Sequence, residues 1–330
     1  MRIFIRSLLL GLFAAVQLAL IPANAIDLKG WVREDKEFTQ HQALLFFFDR
    51  LRTLSQGRYT GRVACCEDLG GQAKVIPVFQ KGEVDIVLFY PSALTKDVPE
   101  VEVLNLPFLF RDPAHMMAAL NGEVGAEYQN MLAAKGYAIL AWYDGGSRSF
   151  YSRSKSLVYF SDFKGQTVRI AKKDHIGMVE ALGAKPSQLA YDKLSAALKS
   201  GEVDIAENNL TSYYTSEHYK VAPFYTFSHH SVSLIALLVS SQRWKSLTES
   251  DKALFRQAAL ESSAEASRLR AAEDADVRAK LEKLGVKFFN FRSASTVISQ
   301  MKTTYEPVVK TPKATDLMLK IMTTQSPAQR

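Results

Sequence analysis

The chain has 330 residues, of which 47% are hydrophobic, with a formal net charge of +7 and two cysteines. This length accommodates two domains with substantial cores, and the composition excludes a disordered or fibrous protein. The positive excess is modest and no Lys/Arg-rich tract is interleaved with aromatic residues, which argues against a nucleic-acid partner. It suits the attraction of small anionic ligands instead.

The first 25 residues have the three parts of a secretory signal peptide. Arg2 and Arg6 supply the positive start, an apolar stretch covers 8–21, and Ala-Asn-Ala at 23–25 forms the cleavage site. A membrane anchor, the alternative, needs about 20 apolar residues, which is more than this stretch offers. We predict a cleaved signal peptide over 1–25 and a periplasmic product.

Strand and helix patterns alternate after the signal, as in a parallel α/β sheet. We predict a strand at 28–32, a helix that ends near Gly57, and a second strand at 59–64. Cys65 and Cys66 follow directly. Adjacent Cα atoms lie about 3.8 Å apart, below the usual disulfide range, so we predict two reduced thiols on opposite faces of the strand, with a strained vicinal bridge as the alternative.

The pentapeptide GEVDI occurs at 82–86 and again at 201–205. Apolar residues precede each glycine by seven, four and three positions, and a short apolar run follows it. This pattern predicts a helix that ends at the glycine and a buried parallel strand after it. One unit used twice predicts two similar α/β lobes with a ligand-binding cleft between them.

Between the two copies we predict a helix from about Pro113 to Ala134, a strand at 137–142 and a turn at 144–147. The second lobe is expected to begin there, with a central strand at 167–171. The lobes are assigned as 26–145 with 234–273 for the first, and 146–233 with 274–330 for the second.

The segment from Thr248 to Leu284 contains no proline and no glycine. It therefore predicts one very long helix, capped at its start by Thr248 with Asp251 and stopped by Gly285. Such a helix would brace both lobes from behind.

Common enzyme motifs are missing from the sequence: no G-x-S-x-G, P-loop, H-E-x-x-H or G-x-G-x-x-G is present. His229 and His230 are neighbours, but adjacent residues of a strand point to opposite faces, so no metal site is predicted there. We expect no catalytic residue, metal or cofactor.

Arg169 stands between two apolar residues of a strand that should be buried. An internal ion pair with Glu202 or Asp204 is one explanation, because arginine is rarely buried without a partner. The other is a guanidinium aimed into the cleft, where it holds a carboxylate through two parallel hydrogen bonds. The carboxyl ends of parallel strands, where Arg169 lies, are the usual ligand edge.

Five further residues complete the candidate site. Glu207 and Asn208 end the neighbouring strand, where helix capping is the alternative role for the asparagine. Arg148 follows the predicted turn, and a surface arginine is the alternative. Tyr191 and Tyr90 lie near strand ends, where core packing is the ordinary role.

At this point the sequence resembles the extracytoplasmic solute receptors of TRAP transporters, of the dicarboxylate-binding type. The run VRIAKKDHIGMVEALGAKPSQLAYDKLSAALKSGEVDIAENN at 168–209 carries the resemblance most specifically. Supporting segments are LSQGRYTGRV at 54–63, LNLPFLFRDPAH at 104–115 and YTSEHYKVAPFYTFSHHSVSLIALLVS at 214–240.

The resemblance implies two α/β lobes joined by hinge strands and closure around one organic acid. By motif position it implies that Arg169 clamps the carboxylate with help from Asn208, that Arg148 is a further cleft arginine, and that Tyr191 faces the solute. Tyr90 falls on the ligand-facing edge of the first lobe.

This sequence departs from the family pattern at several positions. Ala171 and Asn209 stand where proline is frequent, and Tyr90 and Ala93 replace polar residues that read sialic acid, so a sialic-acid ligand is not expected.

The resulting hypothesis is a monomeric periplasmic receptor that delivers a carboxylate-bearing acid to the small and large TRAP membrane subunits. The alternatives are a ligand-sensing adaptor for a membrane signalling protein and an enzyme on the same scaffold.

Overall fold

The computed structural model describes residues 25–66, 68–171, 175–292 and 299–325. The predicted signal peptide, apart from Ala25, lies outside these residues. Within the described ranges, no helix combines the length and the apolarity that crossing a bilayer requires.

The strands of the described chain form one mixed sheet. They are Ile26–Val32 (β1), Tyr59–Cys65 (β2), Ile86–Phe89 (β3), Tyr137–Ser152 (β4), Thr167–Arg169 (β5), Lys185–Ser187 (β6), Ile205–Asn208 (β7), Phe224–Ser240 (β8) and Lys287–Asn290 (β9). Their spatial order is β2-β1-β3-β8-β4-β7-β5-β6, and β9 pairs with β8.

Helices cover the sheet. They are Thr39–Leu54 (α1), Gln72–Gln80 (α2), Pro113–Leu120 (α3), Glu123–Ala133 (α4), Ile176–Ala181 (α5), Leu194–Ser200 (α6), Leu210–Thr215 (α7), Ser241–Ser246 (α8), Glu249–Lys283 (α9), Lys302–Tyr305 (α10) and Pro312–Thr323 (α11). Short 3₁₀ turns include Pro91–Leu94, Pro99–Asn105, Phe160–Phe163, Tyr191–Lys193 and His218–Lys220.

Two long antiparallel strands, β4 and β8, join two groups of parallel strands. β1 is parallel to β2 and β3, and β3 pairs with the C-terminal half of β8. β5 is parallel to β6 and β7, and β7 pairs with the C-terminal end of β4. The predicted two-lobed α/β fold is confirmed, and β4 and β8 are the strands that connect the lobes.

Both GEVDI copies build the same helix–glycine–strand unit. Gly82 has φ +75° and Gly201 has φ +85°, in the left-handed region that glycine adopts without strain. Gly82 lies just after α2 and leads into β3, whereas Gly201 ends α6 and leads into β7. The predicted helix–glycine–strand unit is therefore confirmed in both places.

The aspartate of each copy ties its strand to the parallel neighbour. The Asp85 carboxylate accepts hydrogen bonds from the backbone N–H of Lys29 at 2.8 Å and from Nε of Arg243 at 2.8 Å. The backbone N–H of Asp85 donates in return to the Lys29 carbonyl at 2.8 Å. Because Lys29 lies in β1, the carboxylate fixes the position of β3 beside it.

The second lobe repeats this arrangement. The Asp204 carboxylate accepts from the Thr167 N–H at 3.0 Å and from Nε of Arg153 at 3.3 Å. Among the described residues Arg169 pairs with neither Asp204 nor Glu202, so the internal ion pair, one of the two explanations for that buried arginine, is wrong. Arg153 occupies that role, as Arg243 does in the first lobe.

The structure overturns two local predictions. The helix expected from 113 to 134 is two helices, because extended Gly122 interrupts it between Leu120 and Glu123. The turn expected at 144–147 is a bulge inside β4, where the pairing register with β8 shifts. Asp144 accepts there from the Gly146 N–H at 2.8 Å, which makes a local turn while the strand continues on both sides.

The predicted long helix is confirmed as α9, which has 35 residues. The Thr248 hydroxyl accepts from the Asp251 N–H at 3.1 Å at its start, and Gly285 has φ +88° just past its end. α9 packs against α1, β4 and α7, which come from both lobes. On α9, the Glu273 carboxylate accepts hydrogen bonds from the hydroxyl groups of Thr39 at 3.3 Å and Thr211 at 2.8 Å.

The last helix, α11, contacts the 3₁₀ segment Pro99–Asn105 and helices α3 and α4. Leu317 and Ile321 are buried there, and Lys320 forms an ion pair with Glu127. These contacts lie in the first-lobe range, although the assignment placed 274–330 in the second. We propose that α11 belongs to the first lobe; the other boundaries stay predictions.

Asp85 and Asp204, the aspartates of the two GEVDI copies, should contribute unequally to the stability of the fold. Asp85→Ala should lower the free energy of unfolding by about 2–3 kcal/mol, because a backbone N–H and a guanidinium lose their acceptor, which is itself buried. Asp204→Ala should cost less, since its side chain is 24% exposed against 8% for Asp85. Urea unfolding followed by circular dichroism measures both, with exposed Asp49→Ala as the control. Equal losses in all three variants would contradict this assignment.

Asp274 on α9 predicts a pH dependence of stability. Burial and the negative charges of Glu273 and Asp144 raise its pKa to about 6, although Arg270 opposes them. A raised carboxyl pKa favours the folded state at low pH, and this contribution is lost as pH rises from about 4 to 6. Asp274→Asn should remove that decline, measured as the melting temperature between pH 4 and 7. Parallel curves for the variant and the wild type would refute the assignment.

Candidate functional site

Arg169 is the last residue of β5 and is 7% exposed. Its Nε donates to the Leu189 carbonyl at 2.9 Å, and its guanidinium carbon lies 5.4 Å from the centre of the Tyr191 ring. These two contacts hold the plane of the guanidinium without using its two terminal nitrogens. The side chain is therefore oriented before any ligand arrives.

Among the described residues, Arg169 forms no ion pair and its terminal nitrogens have no hydrogen-bond partner. Both terminal nitrogens remain accessible to solvent. A nearly buried guanidinium is costly without an anion beside it. This geometry favours the ligand explanation for Arg169 over the internal ion pair.

Asn208, the last residue of the parallel neighbour β7, joins Arg169 through Tyr191. Its Nδ2 donates to the Tyr191 hydroxyl at 3.2 Å, and that hydroxyl also lies 2.7 Å from the Ser216 hydroxyl. The helix-capping role considered for Asn208 belongs instead to Asn209, whose Oδ1 accepts from the Ser212 N–H at 2.7 Å. The amide of Asn208 is thus directed at the site.

Arg148 extends the same group of residues from β4, directly after the bulge. Its Nη1 donates to Asn208 Oδ1 at 2.9 Å, its Nη2 donates to the Glu207 carbonyl at 2.9 Å, and its Nε pairs with the Glu207 carboxylate. The side chain is 16% exposed, so Arg148 is neither a surface arginine nor an unpaired one.

Glu207 is fully buried, and both carboxylate oxygens are occupied. Oε1 accepts from the Ala171 N–H at 2.9 Å, and Oε2 receives Arg148 and lies 3.5 Å from His230 Nε2. Burial by itself raises the pKa of Glu207, but His230 and Arg148 outweigh it and hold the pKa well below its usual range. We therefore propose that Glu207 acts through Arg148, not by touching the ligand.

His230 was not predicted as a site residue, although it is 0% exposed and supports this network. Its ring stacks on Phe150 at 4.1 Å, and its Nδ1 lies 2.9 Å from the Ser228 hydroxyl. His175, Glu207 and His230 bring possible metal-ligand atoms within 4.8 Å of one another. A cation there would face the positive charge of Arg148, which disfavours it.

Tyr90 lies in the other lobe, apart from these residues. Its hydroxyl donates to Glu34 at 2.8 Å, and the Arg33 guanidinium lies 4.5 Å from its ring centre. Arg33 also pairs with Glu34 at 2.8 Å and is 57% exposed. No sequence signal had identified Arg33 or Glu34. Five of the six predicted residues therefore gather in one lobe, and Tyr90 forms a polar group on the other.

The gathered residues are suited to binding an anion. Glu207 balances the charge of Arg148, whereas Arg169 has no carboxylate partner among the described residues. Burial lowers the pKa of His218, and the positive charge of Arg169 lowers it further. Carboxylates satisfy such a guanidinium with two parallel hydrogen bonds.

Comparison with known proteins identifies the family of the chain. The family model of the bacterial extracellular solute-binding proteins, family 7 (DctP), matches residues 33–315. A solute-binding protein of Chromohalobacter salexigens is 29% identical over 323 residues, which cover 96% of this chain and 95% of the relative.

Two solved structures show the same architecture. A TRAP periplasmic solute-binding protein from Roseobacter denitrificans with bound β-D-glucuronate is 31% identical, with a TM-score of 0.73 over 91% of this chain and 100% of that one. Another from Sulfurospirillum deleyianum with bound succinate is 26% identical, with a TM-score of 0.67 over 91% of this chain and 99% of that one. The resemblance to TRAP solute receptors predicted from the sequence is confirmed. The chain belongs to family 7 of the bacterial extracellular solute-binding proteins, the DctP family, which is a family of solute receptors and not of enzymes.

Proposed function

We propose that this receptor captures a carboxylate-bearing organic acid between its lobes and delivers it to the membrane subunits of a TRAP transporter. The observation that carries the proposal is Arg169, nearly buried, oriented by Leu189 and Tyr191, and without an ion-pair partner among the described residues. A ligand carboxylate supplies the missing negative charge.

Binding follows from this geometry. The two terminal nitrogens of Arg169 donate charge-assisted hydrogen bonds to the carboxylate, each worth roughly 1.5–3 kcal/mol. Arg148 and Asn208 lie next to the same position and are already held in place by each other. Because few rotamers need to be ordered on binding, little of the interaction energy is lost as entropy.

Closure of the lobes completes the mechanism. β4 and β8 connect the lobes, and the bulge between Asp144 and Ser147 interrupts their pairing close to Arg148. Closure over the ligand excludes water and strengthens the hydrogen bonds around the carboxylate. The closed form is the one that the membrane partner recognises, and ligand binding increases its population.

The proposed ligands are hexuronates and short dicarboxylates, which are the acids bound in the two similar structures. In the first lobe, Tyr90, Glu34 and Arg33 provide hydroxyl, carboxylate and guanidinium groups that suit the distal part of such an acid. We further propose that the receptor is exported after signal-peptide cleavage, works as a monomer, and catalyses no reaction.

Replacement of Arg169 tests the proposal directly. Arg169→Ala should weaken binding of the acid by at least about 100-fold, because two charge-assisted hydrogen bonds are lost. Arg169→Lys should be nearly as damaging, since an ammonium lacks the planar fork. Thermal-shift assays and calorimetry with D-glucuronate, D-galacturonate and succinate measure the effect.

Arg153 provides a matched control, because it is an arginine of the same lobe that already pairs with Asp204. Arg153→Ala should keep the wild-type affinity for whichever acid binds. The proposal that Arg169 binds the carboxylate would be contradicted if that acid still stabilised Arg169→Ala. It would also be contradicted if both variants lost the same affinity.

The Arg148–Glu207 pair yields a separate prediction about stability. Glu207→Gln leaves the Arg148 guanidinium without its balancing charge, so the free energy of unfolding should fall by about 3–5 kcal/mol. The double variant Arg148→Met/Glu207→Gln should recover part of that loss, since no charge is then stranded. Urea unfolding of the two single variants and the double variant measures the coupling. Additive losses would show that the pair does not act as a unit.

A further inference from the structure

Cys65 and Cys66 lie outside the carboxylate-binding group. Cys65 is the last residue of β2, and Cys66 follows with φ +57°. Both thiols are free, as predicted, but they do not point to opposite faces of the strand, because their sulfurs are 2.7 Å apart. The left-handed backbone of Cys66 ends the alternation of the strand and turns its side chain toward Cys65.

The pair lies at the ligand edge of the first lobe. β1, β2 and β3 are parallel, so their carboxyl ends meet at one edge. Cys65 pairs in register with Val32, the last residue of β1. Beyond Val32 come Arg33 and Glu34, which contact Tyr90. The two thiols therefore stand next to the polar group that the first lobe presents.

A tight turn supports the two cysteines. The Asp68 carboxylate accepts from the Cys65 N–H at 3.2 Å, and the Cys65 carbonyl accepts from the Asp68 N–H at 3.1 Å. The Asp35 carboxylate and both sulfurs lie within 4.8 Å of one another. Both cysteines are half-buried, so small oxidants and thiols reach them.

A structural zinc ion takes four ligands. Among the described residues, the Asp35 carboxylate is the one further ligand group within 4.8 Å of the two sulfurs, so a zinc site here would be incomplete. The two sulfurs lie on the same side of the chain and contact each other, which is the arrangement that a disulfide between them requires.

We propose that Cys65 and Cys66 are a redox-sensitive modification site that forms a reversible vicinal disulfide at the ligand edge of the first lobe. In this step one cysteine attacks the disulfide of a small oxidant such as oxidised glutathione, and one oxidant thiol leaves. The second cysteine then attacks the mixed disulfide, so the Sγ–Sγ bond forms and the second oxidant thiol leaves. Two electrons and two protons pass from the cysteines to the oxidant.

The bridge should be easy to reduce again. Adjacent Cα atoms lie about 3.8 Å apart, below the usual range of a disulfide, and strained disulfides have more oxidising potentials. The hydrogen bond to Cys65, burial and the charge of Asp35 raise the pKa of Cys66 to about 12, so its thiol is a poor nucleophile until it is deprotonated. Oxidation of the pair therefore requires an added oxidant, and a reducing thiol reopens the bridge.

The experiment uses the full mature chain, reduced and then equilibrated with oxidised glutathione under native conditions. Trypsin releases both cysteines on one peptide, residues 63–74, between Arg62 and Lys74. The expected result is that this peptide loses about 2 Da, resists iodoacetamide, and regains two alkylatable thiols after treatment with dithiothreitol.

Cys65→Ser and Cys66→Ser are the matched controls. Each should carry one glutathione on its remaining thiol and show no 2 Da loss, because the second thiol is missing. The proposal is overturned if the wild type instead carries two glutathiones, forms a disulfide-linked dimer, or keeps both thiols at every oxidant concentration. It is also overturned if one equivalent of Zn²⁺ blocks both alkylation and oxidation, which would make the pair a metal site. None of these readouts depends on the organic acid.

Discussion

A buried guanidinium without a carboxylate partner in the described part of the chain is the constraint on which the site depends. Arg169 is 7% exposed, and its contacts with Leu189 and Tyr191 fix its orientation without neutralising it. Such a charge is tolerated only if solvent or a ligand reaches it. We propose that a ligand carboxylate completes the electrostatic balance of the site.

The rest of the site keeps that charge available. Glu207 lies on the neighbouring strand, and Arg148, the Ala171 N–H and His230 contact its carboxylate. Because Arg148 pairs with the internal carboxylate, Arg169 stays available, and we propose that it binds the ligand. Two arginines of one site thus have different tasks, and the difference comes from which of them reaches Glu207.

Much of the fold was readable from local patterns. Two copies of GEVDI predicted two helix–glycine–strand units, and an uninterrupted run from Thr248 to Gly285 predicted the long helix. The bulge at 144–147 was misread, since Asp and Gly residues that make a turn can do so inside a paired strand. The break at Gly122 was missed because apolar residues continue on both sides of it.

The sequence by itself determined the kind of site: an arginine inside an apolar strand requires a negative partner, and ligands bind near the carboxyl ends of such parallel strands. Only the tertiary structure decided which partner each charge has. Asp204 pairs with Arg153, and Glu207 pairs with Arg148 and His230. These pairs join residues that are 51, 59 and 23 positions apart, as the numbering shows. Such contacts depend on how β4, β7 and β8 pair in the sheet, and no local periodicity encodes that pairing.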